Sequence, residues 1–380
     1  MHRYLLLLAF LLPASATHAQ DEQPFLSLLK QVPATAEGEL GFSDIAATNR
    51  QLAQFHRRFD PRVADIMPFI FSYPTAGFQT QELFQYKDKI QAALGIGLTD
   101  ITHYAGWGKP PDGPVILRGQ FDNAAIGSAL TAREFEVRQS GDTSIWHRGD
   151  DHAIDFSHRN QGPFSGNLGR ATRMALSDGS LLVTHSFPMM DLLLDGQAKL
   201  STNTDIAAIL SSGYQVQAGD LVSAVFPRRR PIRTLDPSVL LKELTQESGR
   251  KRPKLPESPH LPVFLEYGLL LWQDGAQLTG AIAIPYIRQD TAVEARDTFT
   301  TLLESLTAPS SKRPFAEILP FDRDFQIIET EGRHVLILAF RKDMEVADPV
   351  GLQTFLAHPQ HRLFQLWFSR DLDYLIGGPA

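Results

Sequence analysis

Twice along this chain a strand-like run empties through an aspartate into an amphipathic helix. The first is residues 115–121 (VILRGQF), then Asp122, then NAAIGSALTARE. The second is residues 278–287 (LTGAIAIPYI), then Asp290, then TAVEARDTFTTLLESL. A carboxylate at a helix start accepts the free amide protons of the first turn, so each aspartate marks a junction. Beyond Asp122, Ile126, Ala129 and Leu130 form a narrow apolar stripe. Beyond Asp290, Ala295, Phe299, Leu302, Leu303 and Leu306 share one face, and Thr291 with Glu294 spells a capping box.

The surrounding pattern repeats in order as well. In the first half, 38–44 and 101–107 alternate as strands, and Asp44 is placed to cap a helix over 45–59. Residues 80–94 carry helical spacing. Hairpins are expected about Ser140-Gly141-Asp142 and Ser177-Asp178-Gly179. The second half offers strands at 221–226, 263–272 and 278–287, a helix at 238–245, a hairpin about Glu331-Gly332 and a helix over 363–376. The stretch 249–262 (GRKRPKLPESPHLP) is proline-rich, charged and aperiodic, hence a loop. These elements predict an α+β protein of two tandem units, 20–213 and 214–380. Each is expected to be an antiparallel sheet with helices on one face, in a ferredoxin-like or related arrangement.

A chain of 380 residues with 43% hydrophobic and 21% charged residues is long enough for two ordinary cores. Its first 19 residues have the three parts of an export signal. His2 and Arg3 are basic, LLLLAFLL is apolar, and Ala14-Ser15-Ala16 or Thr17-His18-Ala19 supplies small residues for cleavage. The apolar run is too short for a bilayer core of ~30 Å. Export to the periplasm or the exterior is therefore expected, with no membrane-spanning segment after cleavage. The chain has no cysteine, which excludes disulfides, thiolate nucleophiles and cysteine metal sites. A formal charge of −7 disfavours nucleic acid as a partner.

Few side chains are spaced for chemistry. His147, Asp150, Asp151 and His152, followed by Asp155 and His158, are the densest set of metal-type ligands. An extended strand would splay them over two faces, with His152 and His158 ~20 Å apart, so only a turn at Gly149 and Asp150 would gather a metal site. Arg228, Arg229, Arg230 and Arg233 form a basic run that suits a phosphate, an acidic polymer or a partner protein. Ser27-Leu28-Leu29-Lys30 matches the S-x-x-K spacing of penicillin-recognising enzymes, but the third motif fails, because the strand reads Leu278-Thr279-Gly280 where a lysine is expected first. No cofactor fingerprint is present, and no cofactor is expected. These features favour an exported binding protein for a small molecule or an envelope protein. Its ligand would sit in a cleft between the two units, for which Trp107, Trp146, Trp272 and Trp367 are candidate lining residues. An envelope hydrolase working through scattered acid–base residues is the alternative.

Overall fold

The computed structural model describes residues 23–53, 89–108, 113–195, 199–216, 218–228, 260–274, 277–343 and 359–377. The expected export signal, the helix expected at 238–245 and nearly all of the 249–262 stretch expected as a loop lie outside them.

The repeated motif takes shape in the strand-to-helix junctions. Strand β3 (Val115–Gly119) leads to Asp122, whose carboxylate accepts from the amides of Ala124 at 2.8 Å and Ala125 at 3.4 Å, starting α4 (Asn123–Thr131). Asp44 does the same at the end of β1 (Leu40–Asp44), accepting from Ala47 at 2.6 Å to start α2 (Ile45–Ala53). The second copy of the motif differs. Helix α7 (Gln289–Ser305) begins before Asp290, so this aspartate lies inside the first turn, paired with Arg288. The expected capping box of Thr291 and Glu294 is not formed, because Thr291 is already helical. An acid in the first turn still complements the helix dipole.

The strands join into one sheet of twelve rather than two separate sheets. To those above are added β2 (Ile101–Trp107), β4 (Glu136–Ser140), β5 (Thr143–Arg148), β6 (Thr172–Ser177) and β7 (Ser180–Thr184). Then follow β8 (Asp220–Phe226), β9 (Gly268–Asp274), β10 (Gln277–Tyr286), β11 (Asp322–Thr330) and β12 (Arg333–Asp343). The spatial order is β11-β12-β10-β9-β8-β1-β2-β3-β7-β6-β5-β4, and every adjacent pair is antiparallel. A ferredoxin-like unit brings two strands side by side in parallel through helical crossovers; no such pair exists among the described residues. Instead β1-β2-β3 meander outward, α4 carries the chain to the edge strand β4, and β5, β6 and β7 step back to β3. From the centre the other way, β8-β9-β10 meander outward, α7 carries the chain to the edge strand β11, and β12 returns beside β10. Strands β1 and β8 join the two sets, with Leu40 opposite Phe226 and Ser43 opposite Ser223. Tight turns with positive φ at Asp178-Gly179 and Glu331-Gly332 close two of the hairpins as their residue types require.

Helices cover both faces of the sheet, not one. Strand β12 shows why. Val335, Ile337 and Ala339 belong to one core cluster, while Leu336, Leu338 and Phe340 belong to another, and none is more than 1% exposed. Continuous apolar runs of this kind belong to strands buried on both sides. The first face carries α1 (Pro24–Leu29), α5 (Phe187–Leu194) and α6 (Thr204–Gln215). Helix α6 lies close to β8 and β9: a Cβ on Gly213 would meet the Leu221 side chain at 3.1 Å. The carbonyl of Gly213 accepts from the buried Trp272 indole at 2.7 Å. The second face is covered by α3 (Ile90–Leu94) and α4 over β2, β3, β6 and β7. Over β9, β10 and β12 it carries α7, α8 (Phe315–Ile318), α9 (Pro359–Phe368) and α10 (Asp371–Gly377). Among the described residues no helix is long and apolar enough to cross a membrane.

Candidate binding cleft

Two open clefts lie at one end of the central strands, around residues 36–38. Gly38 has φ of 78° and passes so close to the next strand's end that an added Cβ would sit 3.3 Å from the Cα of Gly108. The amide of Gly108 donates to the Glu39 carbonyl at 3.0 Å, which pins the approach. This short segment forms a ridge with an open cleft on either side. One cleft holds about 360 Å³ between the ridge, Trp107 and the α5 side chains Met189 and Leu192. The other holds about 460 Å³ between the ridge, Arg228, Leu265 and Glu266.

The wall of the second cleft is built by a strand that stops early. The hydrophobic run predicts a strand from residue 263, yet β9 begins at Gly268. Continuing the registers of Leu269 with Val225 and of Gly268 with Ala283 would set Tyr267 against Pro227 and Glu266 against Pro285. Proline has no amide proton to donate, so the ladder ends on both sides. The freed segment stays extended and alternates. Phe264 and Tyr267 are buried in the core under α7, while Val263 is 76% exposed and Leu265 75%. Two large aliphatic side chains therefore project beside the cleft with no cover among the described residues.

Arg228 follows Pro227 with φ of 46° and turns back into the cleft wall. Its guanidinium donates to the Ala36 carbonyl and lies 3.7 Å from a carboxylate oxygen of Glu266. Burial pushes the Glu266 carboxyl above its ordinary range. Arg228 pulls the other way, Asp205 adds to the upward push, and hydrogen bonds from Asn203 and Arg228 favour the charged form. Asn203 also caps α6, accepting from Asp205 at 3.1 Å and Ile206 at 3.2 Å, and Asp205 holds Arg333 at 2.7 Å. The ridge, the cleft wall and the start of α6 are thereby tied together through ion pairs and caps. Of the basic run, Arg228 is an inward-facing partner of a carboxylate; Arg229, Arg230 and Arg233 lie outside the described residues.

Of the histidine–aspartate set, His147 lies in β5, and the others occupy the turn-rich loop that follows it rather than an extended strand. The side chains of the set go to separate tasks. His147 sets its ring against Phe187, with centroids 5.1 Å apart. Asp151 holds the fully buried Arg173 at 2.8 Å and accepts from the Phe187 amide at 2.9 Å. Asp150 contributes its carbonyl to Ala153, and His152, at φ of 59°, donates its amide to the His185 carbonyl. Asp155 caps a short turn of helix through Ser157, with His158 at 3.5 Å. Among the described residues no three histidine, aspartate or glutamate side chains are placed to hold a metal ion. Ser27 is buried and its hydroxyl accepts from Arg118 at 2.7 Å, whereas Lys30 is exposed past the end of α1. Of the tryptophans, Trp107 lines the first cleft, while Trp146, Trp272 and Trp367 are core residues.

Glu37, Val263, Leu265 and Glu266 are the residues that sequence reasoning missed. The prolines at 227 and 285, facing one another across the expected strand, were the available signal. No family model matches this chain, and no curated protein matches it. Among solved structures the chain is similar to crystal form I of TP0453, at 10% identity and a TM-score of 0.35 over 92% of this chain and 97% of that one. It is also similar to form III, at 10% and 0.35 over 83% and 93%, and to form IV, at 8% and 0.37 over 87% and 96%.

Proposed function

We propose that this is an exported binding protein that seats an apolar ligand, or an apolar segment of an envelope protein, across the ridge at residues 36–38. The observation that carries the reading is the pair of open clefts meeting on that ridge with Val263 and Leu265 exposed alongside. Clefts with mostly apolar walls and a few polar groups are where ligands bind, and exposed aliphatic side chains beside one mark a contact surface. The three-part pattern of residues 1–19 supports export. We read β1–β7 and β8–β12 as two tandem units of one plan, which sets the ridge where the units adjoin.

Native mass spectrometry of the protein purified from its own envelope fraction tests this. A molecule retained by the natural chain and lost from Leu265→Asp and Val263→Asp, with unchanged thermal melting, is the expected result. Retention by both variants, or none by the natural chain, would overturn the cleft. Recovery in the cytosol with residues 1–19 still attached would overturn export.

A further inference from the structure

The sheet has two edges, and they are made differently. Strand β4 is short, and an antiparallel pairing with its own copy about its centre would set Arg138 against Arg138. Strand β11 is longer, and among the described residues nothing pairs with its outer side. Along the face toward α7 it reads Arg323, Phe325, Ile327, Glu329. Phe325 and Ile327 are half-buried against the core, while Arg323 and Glu329 are exposed. This order is self-complementary about Gln326. A second copy run antiparallel would oppose Arg323 to Glu329, Phe325 to Ile327, Ile327 to Phe325 and Glu329 to Arg323. On the other face Gln326 would meet its own amide, and Asp324 already has Arg341 at 3.0 Å within its chain.

We propose that β11 is a homodimer edge, pairing antiparallel with β11 of a second copy about a two-fold axis at Gln326. A two-fold contact uses one patch twice, so a strand that complements itself in charge and shape satisfies it. Backbone amides and carbonyls on the open edge supply the ladder, as in other strand-addition complexes. The apolar pair lies at the centre and the ion pairs flank it. Opposite charges facing across strands favour pairing and like charges oppose it, so register and orientation are both selected. One strand pair is smaller than an obligate dimer interface, so association is concentration-dependent.

Light scattering coupled to gel filtration, from about 1 to about 100 µM protein, reads the mass directly. The natural chain is expected to move from monomer toward dimer across that range. Arg323→Glu alone and Glu329→Arg alone each place like charges opposite one another twice, and should weaken the dimer about tenfold or more. An equimolar mixture of the two variants restores two opposite-charge pairs and should recover the dimer as a heterodimer. Because the chain has no cysteine, Gln326→Cys supplies a second measurement on a folded protein. A short bismaleimide should link two such chains, and should not link Asp178→Cys in the β6–β7 turn. A natural chain that stays monomeric throughout, a dimer unaffected by either charge reversal, or no recovery on mixing would overturn the proposal.

Discussion

The two stretches of sheet on either side of the β1–β8 junction run out to their edges by similar courses, return by one strand in one and three in the other, and are stabilised by different means. Each meanders out over three strands, crosses by a helix to an outer edge and steps back. In the stretch from β8 to β12 the crossing helix α7 buries Ala292, Ala295, Phe299, Leu302 and Leu303. In the stretch from β1 to β7 the crossing helix α4 buries only Ile126 and Leu130. There, buried polar groups complete the packing. Under α5, Arg173 is fully buried and paired with the partly exposed Asp151, and its guanidinium lies over Phe187 at 4.7 Å. Arg148 reaches Gln161 at 2.9 Å and Ser165 at 3.2 Å and lies over Phe135 at 4.8 Å. A shared chain course therefore does not dictate a shared kind of core. A long amphipathic helix completes one stretch with apolar area; in the other, the Arg148 stem packs on the α4 face and Arg173 packs under α5 on the opposite face, each with partners for its charge.

Substitutions can break this contrast, beginning with the largest effect. Phe299→Ala empties a fully buried ring site under α7 and should cost about 3–5 kcal/mol in urea unfolding. The corresponding truncation on α4, Ile126→Ala, removes a smaller buried side chain and should cost less, about 2–3 kcal/mol. Asp151→Ala leaves the Arg173 charge buried without its carboxylate. The expected loss is about 2 kcal/mol, below the range for a fully enclosed pair because Asp151 is partly open to solvent. Adding Arg173→Met to that variant should return part of the loss; no return would show that the ion pair is not what fills this side.

The two junction aspartates separate next. Asp122→Ala removes a true cap and should cost about 1 kcal/mol, whereas Asp290→Ala, inside its helix, should cost measurably less. Equal costs would mean that the two junctions work alike after all.

The smallest effects are in pH. His147 is held below its ordinary value of 6.5, mainly by burial, with Arg173 and Arg138 adding and Glu136 opposing. The unfolded chain then binds a proton that the folded chain refuses, so this contribution weakens as pH falls below about 6.5. Glu266 is held above its ordinary value of 4.5, so the folded chain keeps a proton that the unfolded chain releases. That contribution is complete below about 4.5 and fades as pH rises through the raised value. The two sides should thus respond to acid with opposite sign. Unfolding curves of His147→Phe and Glu266→Gln should each flatten one slope, and identical slopes in both variants would remove the distinction.

Much of the strand pattern was open to reading from residues alone. Asp178-Gly179 and Glu331-Gly332 announce their turns, and the runs around Ile282 and Leu336 announce strands. The second covering layer was hidden in the sequence. Helix α6 is buried at Ile206 and from Ala208 through Gly213, so it lacks the polar stripe by which an amphipathic helix is recognised. Without α5 and α6 in view, the sheet was expected to have one bare face. The single sheet was hidden as well, because the pairing of Leu40 with Phe226 joins residues far apart in the chain and leaves no local trace. At the cleft, Arg228 and Trp107 stood out by type. Leu265 and Glu266 did not, because they become wall and lip only when Pro227 and Pro285 come to face one another.

The central junction also sets an order of assembly. Strand β1 is made early, yet one of its two neighbours is β8, which follows only after the whole of β7, α5 and α6. A chain interrupted before residue 220 would carry the middle of the eventual sheet as a raw margin, with Leu40, Phe42 and their amides open to any other strand. Such margins recruit strangers, and pairings between distant segments form slowly. The seam that unites the finished molecule is thus its most vulnerable line while it is being made.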